Sequence, residues 1–156
     1  MTGVKDLIYG AIGGIIGGIA MAGAIMGMDA MLTTSMSDMF TDWLPRVIGM
    51  TPDAGNLMIG LAMHMMMSVV YGALFAIVFD LLGREENIIS GLIFGAIYGI
   101  ILMGLAMVGF MVMPMVFAGF PDVIAIAMGD MLVLGGMVAG HVMFGIITGV
   151  VYTLLK

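Results

Sequence analysis

Two histidines, His64 and His141, are the only ones in the chain, and each sits inside a long apolar run. An imidazole in such a run needs a partner or a task. The surrounding strings are alike: His64 to Gly72 reads HMMMSVVYG, and His141 to Gly149 reads HVMFGIITG. In both, Met follows at +2, Ser or Gly at +4, β-branched residues at +5 and +6, and Gly at +8. Imidazole and thioether together suit copper. Met63, Met66 and Met67 flank His64, and Met137 and Met143 flank His141. Met67 lies three residues after His64, on the same helical face. Met36, Met39, Met111, Met113 and Met115 stand beside acidic residues elsewhere and suggest a capture surface. Two histidines at one depth also fit axial ligation of a noncovalently held haem. A proton or ion path through the pair is a further reading, although no carboxylate accompanies it within the apolar runs. Against all of these stands a packing role, with each imidazole bonded to a neighbouring hydroxyl (Ser68, Tyr71 or Thr148), a carbonyl or the other histidine.

The elements that must hold these residues follow from composition. Of 156 residues, 63% are hydrophobic and 9% charged, and the mean hydropathy is +1.26. A soluble domain of this size cannot hide so much apolar surface, whereas a bilayer can. With no cysteine there is no disulfide and no thiolate metal site. A net charge of −6 argues against nucleic acid. The 25 glycines suit close helix packing in a membrane, and the 22 methionines are soft filler or soft ligands.

Four spans are expected, at about 7–28, 55–80, 88–113 and 130–155. The first follows Lys5 but is long enough to cross a bilayer, so it reads as a structural helix and not a leader. Gly10, Gly14 and Gly18 in span one, and Gly91, Gly95 and Gly99 in span three, form doubled GxxxG patterns for helix packing. In the first loop Leu32, Met36, Met39, Phe40, Trp43, Leu44 and Val47 recur at helical spacing, with Asp29, Thr33, Ser37, Asp38, Thr41 and Asp42 opposite. That predicts an amphipathic interfacial helix, Trp43 at headgroup level and Pro45 at its end. The short charged loop around Arg84, Glu85 and Glu86 makes spans two and three antiparallel neighbours. Pro114 and Pro121 are expected to break helix in the third loop. Lys5, Arg84 and Lys156 fall on one side and Arg46 on the other, which places both termini in the cytoplasm.

The halves match. Offset by 91 − 10 = 81 residues, the span-one glycines meet those of span three. Offset by 141 − 64 = 77, His64, Met66, Gly72 and Asp53 meet His141, Met143, Gly149 and Asp130. Two tandem repeats, about 5–80 and 87–156, then form one membrane domain about a pseudo-twofold axis along the membrane normal. Each histidine follows its aspartate by 11 residues, about 16 Å at about 1.5 Å per residue, hence near mid-membrane. The glycine-patterned first and third helices, the His64-x-x-x-Ser68-x-x-x-Gly72 second helix and the Gly140-His141-x-x-x-Gly145 fourth helix resemble the uncharacterised YagU-like prokaryotic inner-membrane proteins. That resemblance covers nearly the whole chain. It implies a four-helix membrane bundle in a prokaryotic cell membrane, without an assigned activity.

Enzyme motifs are missing: the chain has no Walker loop, no G-x-S-x-G and no H-E-x-x-H. The expectation is therefore an all-α, four-span, non-catalytic membrane protein. Its expected role is an accessory or assembly subunit of a larger enzyme complex of the respiratory oxidase or copper-dependent monooxygenase type. Copper binding or transfer through His64, His141 and neighbouring methionines is the alternative, with bis-histidine haem or an ion path behind it.

Overall fold

A computed structural model describes residues 2–32, 34, 36–83, 86–117 and 119–156. Thr33, Arg84 and Glu85, named above, lie outside the described residues. Four helices are long and apolar enough to cross a membrane, which makes this a multi-pass membrane protein. They are α1 (Val4–Leu32), α3 (Leu57–Leu81), α4 (Ile88–Val116) and α6 (Met131–Leu155). Between α1 and α3 come a π-helical turn, Met39–Trp43, and the short α2, Leu44–Val47, and a further helix, α5 (Val123–Gly129), precedes α6.

Several ends differ from expectation for local reasons. Span one runs one turn further, to Leu32, and span three continues to Val116 with Pro114 inside its last turn. Pro45 does not end the first-loop helix but sits at the start of α2, where its missing N–H costs nothing. Asp130 caps α6 through its carboxylate, which accepts from the backbone N–H of Leu132 at 2.8 Å.

The glycines set the packing. An added Cβ on Gly10 would come within 2.3 Å of the Gly72 carbonyl oxygen, and one on Gly14 within 2.1 Å of that of Ser68. The seam between α4 and α6 repeats this contact, with Gly91 on Gly149 at 2.5 Å and Gly95 on Gly145 at 2.3 Å. Gly99 meets the His141 carbonyl at 2.2 Å, whereas Gly18 meets the Ser68 side chain. All six GxxxG glycines are thus consumed inside the chain, and none is left for a lateral partner.

The pseudo-twofold arrangement is not realised. Such an axis would make the α1–α6 and α4–α3 contacts equal, yet α1 packs along both α3 and α6 while α3 and α4 barely touch. The cause lies in four residues. Gly13 and Gly17 groove a second face of α1, where a Cβ would lie 2.7 Å from the Thr148 carbonyl oxygen and 2.9 Å from that of Phe144. At the same offset α4 carries Phe94 and Tyr98. Their rings hold α3 away: Tyr98 packs edge-on to Phe75 at 5.3 Å and Phe94 to Phe79 at 6.1 Å, with Tyr152 completing the layer. The Tyr98 hydroxyl donates to the Tyr71 carbonyl at 2.7 Å. Spans two and three are therefore consecutive but separated by an aromatic layer.

Beneath that layer Lys156 gathers the chain ends. Its ammonium bonds Asp80 at 2.6 Å and Glu86 at 3.0 Å and lies 3.7 Å from Asp6. Burial pulls its pKa down, but hydrogen bonds to Asp80, Tyr152 and Glu86 outweigh this and hold it above the usual lysine value. Removing the cation takes from Asp80, only 13% exposed, the counter-charge it has among the described residues. A fully buried pair broken this way loses about 3–5 kcal/mol, and water at Glu86 reduces that here. Lys156→Ala is expected to destabilise by about 2 kcal/mol. A thermal melt in detergent should show this as a midpoint lowered by roughly 4–8 °C.

Candidate functional site

Where the aromatic layer ends, the gap between α3 and α4 becomes a cavity of about 110 Å³. His64, Met67, Ser68 and Tyr71 of α3 line it, with Met21 and Ile25 of α1, Leu102, Ala106 and Phe110 of α4, and Val133, Met137, His141 and Phe144 of α6. Met36, Met39 and Trp43 from the first loop close its top.

Both histidines therefore border one space, but they are held differently. His64 is 9% exposed, and its Nε2 is 3.1 Å from the Gly18 carbonyl oxygen. His141 places Nδ1 2.8 Å from the carbonyl oxygen of Met137, one turn back on its own helix. A carbonyl only accepts, so each of these ring nitrogens carries the proton. The other nitrogen, Nδ1 of His64 and Nε2 of His141, keeps its lone pair in the neutral ring. Among the described residues neither lone-pair nitrogen has a hydrogen-bond partner, and no buried side-chain nitrogen or oxygen is sealed without one. Each therefore keeps some accessible surface, and both residues line the cavity. Backbone anchoring of one ring N–H is the arrangement metal-binding histidines use to fix tautomer and orientation.

Two of the hydroxyls named as ring partners bond elsewhere. Ser68 Oγ donates to the His64 carbonyl at 2.8 Å, and Thr148 Oγ1 to the Gly13 carbonyl at 3.4 Å. Tyr71 lines the cavity, and its backbone carbonyl accepts from the Tyr98 hydroxyl.

Of the candidate methionines, Met67 lines the cavity while Met63 and Met143 do not. They stand one and two positions from their histidines, and such neighbours on a helix do not share a face. Met21, Met36, Met39 and Met137 line it instead. Met137 was readable as the residue four before His141. Met21 belongs to another helix and carried no local signal. Met111 and Met115, placed in the capture surface, are exposed on the last turns of α4.

Among the described residues no carboxylate lines the cavity. Among the described residues no group of three or more His, Cys, Asp or Glu side chains is placed to hold a metal. What the cavity offers is two imidazole lone pairs and five thioethers in apolar surroundings.

The first-loop helix is present but turned inward. Phe40 is fully buried with its ring edge-on to His64 at 5.5 Å. Trp43, expected among headgroups, is 3% exposed and packs edge-on to Phe110 at 5.9 Å. Asp38 sits on the outer side of this segment. Burial raises its carboxyl above the usual range, and the charges of Asp29 and Asp42 raise it further. A carboxyl whose pKa is raised in the docked state favours docking as pH falls toward that pKa. Asp38→Asn should accordingly increase the protection of Trp43 from acrylamide at neutral pH, and should blunt the gain in protection that wild type shows on mild acidification.

No curated protein and no solved structure matches this chain. A model described as a family of unknown function (DUF6789) matches residues 4–156, and the chain belongs to that family.

Proposed function

We propose that the protein is a membrane-embedded carrier of a soft monovalent metal ion, Cu(I), bound between α3 and α6. The observation that carries this is the two histidines, each with one ring N–H fixed by a backbone carbonyl, lining one methionine-rich cavity. Thioether and imidazole are soft and intermediate ligands that suit Cu(I). Charge points the same way. A divalent ion would bring two uncompensated charges into an apolar cavity without a carboxylate, and that is strongly unfavourable. Size separates the haem reading: about 110 Å³ corresponds to roughly ten water-sized positions at about 10–15 Å³ each. A porphyrin would require the helices to part.

A second reading, that of an accessory subunit of a larger membrane enzyme of the oxidase or monooxygenase type, is favoured by a different surface. Gly23 and Gly27, one turn apart on α1, have nothing within 4 Å of an added Cβ, and the same is true of Gly104 and Gly109 on α4. Such open small-residue faces suit close approach of another helix. The two readings are compatible, since a copper-dependent complex needs a subunit that supplies the ion. Both sit within a YagU-like prokaryotic inner-membrane protein with cytoplasmic termini and the loop-one end outside.

Native mass spectrometry of gently extracted, anaerobically purified protein tests both. One copper per chain is the expected result, with or without a partner at fixed stoichiometry. Protein that stays metal-free after Cu(I) loading would overturn the carrier reading. Protein that runs only alone would overturn the accessory one.

A further inference from the structure

The first loop carries ligand atoms as well as cover. We propose that residues 36–47 are a lid that brings the sulfurs of Met36 and Met39 into the His64–His141 site, so that ion exchange requires the lid to lift. This rests on the Cu(I) reading given above.

The boundaries of the cavity lead to it. On one side Tyr71, which lines it, is tied through its carbonyl to Tyr98 of the packed ring layer. Its walls are four apolar spans, and beyond the gap between α3 and α4 lies hydrocarbon, which an ion does not cross cheaply. The remaining side is the first loop, which reaches water at Asp38 and Asp42. Met36 is 3% exposed, and its Sδ sits so close to Gly136 that a Cβ there would lie 2.5 Å away. Gly136 precedes Met137, whose side chain lines the cavity and whose carbonyl fixes His141. Met39 begins the π-helical turn and lines the cavity as well. Single-turn π-helical segments recur at functional sites.

The lid is held by a few separable contacts. Its seat is Gly60, where an added Cβ would fall 2.0 Å from the Phe40 carbonyl oxygen. Its rim is tied by the Asp29 carboxylate, which accepts from Ser37 N at 2.6 Å, Met36 N at 3.1 Å and the Thr34 hydroxyl. On the far side the Thr41 carbonyl accepts from Asn56 Nδ2 at 3.3 Å. After α2 the chain turns at Gly49, φ 83°, with open space around it. A short helix with a glycine seat, a water-facing polar clasp and a glycine turn behind it can undock while the spans stay packed.

Trp43 is the only tryptophan and sits on the lid, so it reports docking without a label. Gly60→Ala pushes at the Phe40 carbonyl and leaves every ligand atom in the chain. Acrylamide quenching of Trp43 should rise at least threefold in this variant without metal, and Cu(I) transfer to an added chelator should speed up at least tenfold. The double variant Met36→Leu, Met39→Leu keeps the apolar bulk, so Trp43 should stay protected while Cu(I) affinity drops about tenfold. If Gly60→Ala does not fold, Asp29→Asn loosens the clasp and should shift both readouts in the same direction, by about threefold. Trp43 as protected in Gly60→Ala and Asp29→Asn as in wild type would overturn the lid alone. Unchanged Cu(I) affinity in the methionine variant would overturn the ligand role of Met36 and Met39. Wild-type protein that binds no Cu(I) would overturn the site itself, and Trp43 quenching in the apo variants would still decide whether the segment undocks.

Discussion

Gly95→Ala is expected to destabilise the bundle by about 3 kcal/mol, whereas Gly104→Ala, nine residues further along the same helix, should be neutral or slightly stabilising. The chemistry of the two substitutions is identical and only the surroundings differ. At Gly95 the new Cβ would stand 2.3 Å from the Gly145 carbonyl oxygen and 3.0 Å from Ile146 Cα, all backbone. No side chain can swing away, so α4 and α6 must separate by about an ångström or more. Gly91 and Gly99 lie on the same seam, and their close contacts at Gly149 and His141 are lost with it. At Gly104 nothing lies within 4 Å, and alanine only adds helix propensity, worth about 1 kcal/mol in a helix interior. Thermal melts in one detergent should separate the two variants by roughly 6–12 °C. Equal midpoints would show that the α4–α6 seam is not built from backbone contact at these glycines.

The second large effect concerns the histidines. His64→Ala and His141→Ala are each expected to weaken Cu(I) binding at least about 100-fold, since even anchoring groups around metal ligands account for about 10–100-fold. The double variant should bind no better than either single one if the two imidazoles hold one ion. His64→Ala also frees the Gly18 carbonyl and leaves a gap under Phe40, so its fold must be checked separately. Among the described residues the His141 ring is hydrogen-bonded to the Met137 carbonyl of its own helix alone, and its replacement should leave the melt nearly unchanged. That contrast gives the site its cleanest test: His141→Ala should lose the metal while keeping the fold. Competition against a Cu(I) chelator measures the first property and a melt the second.

How much of this was legible in the chain can be argued residue by residue. Glycines at four-residue spacing in two apolar runs announced two helix seams, and the seams pair as the repeat implied. The departure from twofold symmetry was also written, in GAIGGIIGG against GLIFGAIYG, because Gly13 and Gly17 stand where Phe94 and Tyr98 stand in the other half. An aromatic in place of a glycine in a groove decides whether a neighbour can approach, and matching positions for identity passes over that. The first loop showed its amphipathic period but not its destination. An apolar face fits lipid and protein equally well, and only the glycine seat at Gly60 selects protein. At the site, helix geometry ranked the methionines. Spacings of three and four, as in Met67 and Met137, reached the cavity, whereas neighbours at one and two, Met63 and Met143, did not. Met21 and Met36 arrive from other elements, and spacing along one helix carries no information about them.

Among the described residues every ion pair lies at an end of the bundle, with the Lys156 cluster at one and Arg46 with Asp42 at the other. The middle is left to two neutral imidazoles and thioethers. On the proposed Cu(I) reading that separation is what the site uses, because a soft, singly charged ion can be stabilised there by donor atoms without a counter-charge. X-ray absorption at the copper edge of the Cu(I)-loaded, reduced protein tests this most directly. The expected result is a mixed shell of imidazole nitrogen and thioether sulfur that loses nitrogen in His141→Ala. A shell of oxygen and nitrogen without sulfur, or one unchanged by that substitution, would contradict it.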